Sequence, residues 1–382
     1  MKIEKAYSIS RIGALLNNDM SKVIEKESVK SRREGNFVKF VAYLQIIGII
    51  LVVLGHSFHE YPDGRMGDSV LILKMLQSFR MPLFIFVSGF LMVYASFRKN
   101  GAKGFAPFVR SKLKRLLLPY FVLTLITFVP RTFMSGIADD ALELTWESLA
   151  GSIIHSDRQV IVYYWFIQAS FVLLIFSYGW LSLSRHWGIR EDRAYWSLFV
   201  LFLIMQLFPG YMPKIWALDK IFLYAVFFGG GMLYARYFED VDKVIPWTKW
   251  WFFLSNLVVW IIITPLLRNT DFVSVSSIFG VMMSISAAKW LVERKLTFLD
   301  HLMGANYIIF LLSWYVNVVT QQVLSHYTSF PWWVYTLLSL VCGIYIPWLF
   351  YRWMQSHPDS RFVRFCALLL GQSLKSPTRK SQ

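Results

Sequence analysis

The sequence predicts an all-α, polytopic membrane protein: a helical bundle of about ten transmembrane helices. Three observations carry this reading. Hydrophobic residues make up 56% of the 382, and mean hydropathy is +0.48, more apolar than a soluble chain of this length. The apolar residues fall in long runs, and roughly 20 helical residues cross a bilayer core. Trp and Tyr, part of an 18% aromatic fraction, gather at the ends of those runs, as interfacial belts do.

Residues 1–36 are polar and basic, with Lys22, Lys26, Lys30, Arg32 and Arg33. They lack the apolar core of a signal peptide, so they read as a cytoplasmic basic tail, partly an amphipathic helix. The first span is FVKFVAYLQIIGIILVVLGHSFHE, Phe37 to Glu60. Between Val41 and Gly55 it holds no charge, and Gln45 is its one strongly polar side chain. His56 stands where this helix reaches the far interface, and a helix continued to Glu60 would carry His59 and Glu60 on the same face.

A turn at Pro62-Asp63-Gly64 leads to the second span, SFRMPLFIFVSGFLMVYASF, Ser78 to Phe97. Arg80 marks its start. Pro82 falls in the first turn, where proline costs no hydrogen bond, and Ser88-Gly89 allows close helix contact. The basic loop Arg98 to Arg115 follows, then a third span from Leu116 to Met134, with Pro119 near its start. The remaining spans are Val160–Leu183, Ala194–Phe208, Ile221–Tyr237, Trp247–Leu267, Phe272–Leu291, Gly304–Leu324 and Pro331–Trp353. Gly229 to Gly231 read as close helix packing, because no strand precedes them to make a phosphate loop. The domain assignment is therefore residues 1–36 as tail, 37–353 as the transmembrane domain, and 354–382 as a basic C-terminal segment near the interface.

Ten spans place both termini on one side. The segments on that side carry 31 of the 39 Lys and Arg, and the opposite loops carry 8. By the positive-inside rule both termini are cytoplasmic and His56 faces outward. The formal charge of +16 follows from that asymmetry and calls for no nucleic-acid partner. Cys342 and Cys366 form no CxxC pair and no zinc spacing, so neither a disulfide nor a Cys-based metal site is expected.

Two places carry chemistry. A neutral imidazole at the membrane rim with a carboxylate one turn away suits a general base; a histidine anchoring its helix at the headgroups fits the same position. Arg110, Lys112, Lys114 and Arg115, clustered before a helix, suit a polyanionic phosphate ligand; taken alone they fit topological charge holding anionic lipid better.

Four stretches resemble the acyltransferase family 3 membrane proteins, in particular the fucose 4-O-acetylase-like branch of sugar O-acetyltransferases. They are LQIIGIILVVLGHS (Leu44–Ser57), RMPLFIFVSGFLM (Arg80–Met92), FVRSKLKRLLLPY (Phe108–Tyr120) and YYWFIQASFVLLIF (Tyr163–Phe176). They come in the family's order and spacing, over roughly residues 37–353. The resemblance implies an O-acyltransferase of the bacterial inner membrane. Its donor would be cytoplasmic acyl-CoA, in particular acetyl-CoA, used as a substrate with no permanently bound cofactor and no metal. Its acceptor would be a hydroxyl of an extracytoplasmic glycan or lipid-linked sugar.

Residue by residue, the resemblance implies His56 as catalytic base and Arg110, Lys112 and Arg115 as the site for CoA phosphates. Glu60 or His59 would orient the imidazole as a triad's third member does. Gln45 or Ser88 would hydrogen-bond the oxyanion or the donor. The chain departs from the family at two positions. Gln45 stands where an arginine is common, eleven residues before the histidine, and Ser313 stands where many relatives have a histidine. Two other classes fit a ten-helix bundle: a glycan or lipid-linked sugar transporter, and an inactive acyl-CoA-binding relative. Spans one to three hold almost no carboxylate that could relay protons, which disfavours the transporter.

Overall fold

A computed structural model describes residue 35 and residues 38–58, 69–99, 104–133, 142–267 and 273–374. The described chain is helical, and its one β-type contact is an isolated bridge between His155 and Ile215. The long helices are α1 (Val38–Ser57), α2 (Ser69–Val93), α4 (Leu118–Phe133), α6 (Trp165–His186), α7 (Glu191–Met205), α8 (Leu218–Val244), α9 (Trp250–Leu267), α10 (Val273–Glu293), α11 (Asn306–Tyr327) and α12 (Trp332–Ser356). Three shorter helices complete the set: α3 (Phe105–Lys112), α5 (Trp146–Ile154) and α13 (Arg361–Leu369).

Among the described residues, nine helical segments are long and apolar enough to span a bilayer, α3 and α4 counting as one continuous rod. The fifth expected span, α7, is shorter: its 15 residues rise about 22 Å against a core of about 30 Å. The chain still runs from one end of the bundle to the other there. Ser156 N–H donates to Lys214 C=O and Trp216 N–H to Ile154 C=O, so the segments leading into α6 and α8 sit at one end. At the other end Arg185, closing α6, pairs with Glu191, and Arg236 near the end of α8 pairs with Glu191 and Asp192. Helices α6 and α8 are therefore parallel, and α7 with residues 206–217, which include a single 3-10 turn at Pro209–Tyr211, makes the return. Among the described residues α7 is thus the one expected span that falls short of spanning length.

Both described ends of the bundle lie at one face. Lys39 at the start of α1 pairs with Asp300 at 2.9 Å, and the Tyr43 hydroxyl reaches the Asp300 carboxylate and the Leu296 C=O. Trp348 late in α12 donates to His301 C=O. The close of α13 rests on the α3–α4 junction, where Gly371 meets the Arg115 backbone. Burial works against the charge of Asp300, yet the bonds from Tyr43 and Lys39 outweigh it and hold this carboxyl below the usual carboxylate range.

Glycine pairs bring the central helices together. A β-carbon on Gly89 of α2 would fall 2.1 Å from the Phe228 carbonyl oxygen, and one on Gly231 of α8 would fall 2.0 Å from that of Phe86. The expected packing role of the Gly229–Gly231 run is thus met: the α2 and α8 backbones touch, as small residues permit in a membrane.

Two helix boundaries differ from the sequence reading. Helix α2 starts at Ser69, nine residues before the expected Ser78, so Arg80 and Pro82 lie in its interior. Lys74 interrupts the apolar run in the sequence, but it is exposed and the helix passes through it. Proline lacks the N–H that would bond the Ser78 carbonyl. Ser277 of α10 takes over that acceptor, its hydroxyl donating to Ser78 C=O at 2.5 Å. Helix α1 ends at Ser57, before His59 and Glu60. Those two residues, and the turn at Pro62-Asp63-Gly64, lie outside the described residues.

Candidate active site

The described end of α1 is held from three sides. Gln321 of α11 donates to Ser57 C=O at 3.0 Å and approaches His56 C=O and the Ser339 hydroxyl of α12. Carbonyls in the last turn of a helix have no partner within it, and this amide supplies one. The Ser57 hydroxyl bonds back to Val53 C=O at 2.8 Å. Asn317, buried between α1, α11 and α12, donates to the Ser339 and Ser313 carbonyls, and its side-chain oxygen lies 3.2 Å from the Ser57 hydroxyl. The backbone carrying His56 is thereby fixed.

His56 is half-buried. Its ring lies 4.7 Å from that of Tyr163, tilted by 36°. Tyr163 sits in the short turn before α6, and that turn is pinned on every side. Arg131 donates to Val160 C=O, the Tyr164 hydroxyl donates to Leu311 C=O at 3.0 Å, and Gln159 donates to Gln168 at 2.8 Å. Gln168 in turn donates to the Tyr120 hydroxyl. Ser313, buried to 3% exposure, places its hydroxyl within bonding reach of Tyr163. The position that departs from the family therefore touches the residue whose ring lies against His56.

The sequence reading missed Arg80. The residue is 8% exposed, and its Nε and Nη1 have no hydrogen-bond partner among the described residues. Its guanidinium lies on the backbone of Gly55, the residue before His56, close enough for its charge to act on the imidazole. Tyr224 of α8 is a further electrostatic neighbour. The available signal was an arginine inside an apolar run, which in a membrane helix marks function by default; read as a helix edge, it carried no such weight.

Neighbouring helices continue past the level at which α1 carries His56. Helix α2 begins eleven residues outward of Arg80 and α11 runs six residues beyond Gln321, about 16 and 9 Å of helix respectively. Beneath His56 and Tyr163 lies an aromatic layer of Phe84, Phe166 and Phe310, with Tyr163–Phe310 centroids at 5.5 Å and Phe84–Phe166 at 5.4 Å. Gln45 is eleven residues before His56 on the same helix face, about 16 Å further in. Ser88 is eight residues past Arg80, about 12 Å inward, its hydroxyl bonded to Phe84 C=O at 3.0 Å. Neither side chain reaches the space beside His56.

The basic cluster is at the opposite end of the bundle. Arg110, Lys114 and Arg115 are exposed, and Lys112 is half-buried with its ammonium 5.1 Å over the Phe108 ring. Phe108 stacks on Tyr178 of α6 at 3.7 Å, and Tyr307 of α11 donates to Arg115 C=O at 2.7 Å. Two π-type turns, Tyr94–Lys99 and Leu113–Leu117, flank this region. Such turns are rare and concentrate at functional sites.

A family model described as an acyltransferase domain matches residues 38–352. The chain belongs to acyltransferase family 3, and the protein is a membrane acyltransferase. No curated protein and no solved structure matches the chain significantly.

Proposed function

We propose that the protein moves an acyl group, specifically acetyl, from cytoplasmic acyl-CoA to a hydroxyl of an extracytoplasmic glycan or lipid-linked sugar. Both termini are then cytoplasmic and the membrane is the bacterial inner membrane. One observation carries the reading. A half-buried imidazole sits on a fixed helix end toward one end of the bundle, and a segment of exposed cations stands toward the other. An acyl carrier bearing phosphates fits the second place, and a neutral sugar hydroxyl fits the first.

In this reading His56 accepts the proton of the acceptor hydroxyl as its oxygen attacks the thioester carbon. The tetrahedral intermediate collapses, the carbon–sulfur bond breaks, and His56 returns the proton to the CoA sulfur. Arg110, Lys112 and Arg115 hold the CoA phosphates. Gln45 and Ser88, inward of His56, line the route of the donor arm, where amide and hydroxyl groups meet the pantetheine amides. Glu60, just past α1, orients the imidazole.

Membranes containing the protein, incubated with acetyl-CoA labelled in the acetyl group, provide the test. Label appearing in glycan or lipid-linked sugar supports the reading. Glycan translocation without label transfer, or acyl-CoA binding without turnover, contradicts it.

A further inference from the structure

We propose that Arg80 is the oxyanion-binding residue of the transfer: its two unpartnered donors receive the thioester carbonyl oxygen beside His56. The proposal rests on the acyl-transfer reading and deepens it.

A guanidinium kept from water without a partner is costly, because desolvation of the cation is not repaid. Buried polar groups in folded proteins are nearly always bonded, yet among the described residues Nε and Nη1 of Arg80 have no partner. The side chain cannot reach the outer interface by extending, since α2 continues eleven residues outward of it. An arrangement of this kind persists where a ligand completes it, and the missing ligand must be an acceptor of hydrogen bonds, negative in charge at least transiently.

The location selects the acceptor. Arg80 lies on Gly55, and any larger residue there would displace it. The next residue along α1 is His56. A carbonyl attacked by a hydroxyl that His56 deprotonates is therefore next to the guanidinium. The acceptor oxygen's lone pair forms the new carbon–oxygen bond, and the carbonyl π pair moves onto the oxygen facing Arg80. The hydroxyl proton moves to His56. Negative charge then forms between Arg80 and the imidazolium. On collapse the carbonyl re-forms, the carbon–sulfur bond breaks, and the thiolate takes the proton from His56. Donors fixed before the reaction act on the charge as it develops, which is selective stabilisation of the transition state. The planar fork of an arginine suits this better than a lysine's mobile ammonium.

The test uses the full-length protein in lipid nanodiscs and two unreactive CoA ligands. One is a ketone analogue of acetyl-CoA, with a methylene between sulfur and carbonyl; the other is S-propyl-CoA, which has no carbonyl. The wild type binds the ketone about tenfold more tightly, the worth of one charge-assisted bond. Arg80→Gln erases that difference and leaves S-propyl-CoA affinity unchanged. Its kcat falls about 10²–10³-fold, as when an oxyanion donor is removed, and KM for the donor stays within threefold. Arg80→Lys falls between. Should Arg80→Gln fail to fold, Gly55→Ala gives the same reading by displacing the guanidinium. Equal weakening of both ligands, an unchanged kcat, or a rise confined to KM for the acceptor would overturn the assignment, the last pointing to an anionic acceptor group. Failure of the wild type to bind either ligand overturns the acyl-transfer reading itself.

Discussion

The guanidinium of Arg80 fills the space that a side chain on residue 55 would need: an ideal β-carbon on Gly55 would fall 1.4 Å from Nη1. Helices α1 and α2 meet there, and His56 is the next residue. A single methyl group at this seam must push the cation away, whereas the helix propensity of alanine favours the change locally. Gly55→Ala should therefore leave an inserted, monodisperse protein and lower acyl transfer by about 10²-fold or more. Size-exclusion profile and initial rate, measured on the same preparation, separate the two effects.

The donor end makes an independent prediction. Lys112→Ala combined with Arg115→Ala should raise KM for acyl-CoA and leave KM for the acceptor alone. Charge-assisted bonds of this type contribute roughly 1.5–3 kcal/mol each, so about tenfold or more in affinity per site. The effect should shrink at high salt, because exposed cations are screened. An unchanged KM for acyl-CoA at every salt concentration would reduce the cluster to topological charge.

The order of spans was legible in the sequence because each apolar run is long and the Lys and Arg counts alternate between sides. The ends of the helices were not. Lys74 and Gln77 cut the apolar pattern before Ser78, yet α2 carries both on its exposed face. The true start of that helix decides the meaning of Arg80, which is an edge residue in one register and a buried cation in the other. His56 was legible through the motif around it. Its partners were not, since Arg80, Tyr163 and Gln321 come from three other segments and meet it only in the packed bundle. The sequence spacing of Gln45 and His56 was read correctly as one helix face, but spacing along one helix also fixes their separation at about 16 Å.

The clamp at the N-terminal end of α1 predicts a pH dependence of stability. Asp300 is held below the usual carboxylate range by Tyr43 and Lys39. Its contribution is then present above the unfolded carboxylate value of about 3.9 and lost as pH falls through the lower folded value. Wild type in detergent should lose thermal stability on acidification in that range. Asp300→Asn should start lower at neutral pH and show a smaller loss. Identical acid profiles for the two proteins would show that the clamp contributes nothing.

Orientation is checked by labelling. On the charge asymmetry expected from the sequence, Asp63→Cys should react with an impermeant maleimide in intact cells. Lys103→Cys should react only after permeabilisation. The reverse pattern would place His56 toward the cytoplasm and separate the base from its proposed acceptor.

The central claim is that His56 takes the acceptor's proton. Its imidazole adds little packing, since it is half-buried and the helix end is held by Gln321, Ser57 and Asn317. The most direct measurement is the single-turnover rate of acetyl transfer by His56→Ala at matched expression, across pH. The account predicts a protein that inserts and binds acyl-CoA as the wild type does, with a rate lower by about 10²–10⁴-fold. Wild-type rate should fall as the imidazole becomes protonated at low pH, and the variant should lack that limb. Transfer by His56→Ala at near wild-type rate, or the same acid limb in both proteins, would contradict the account.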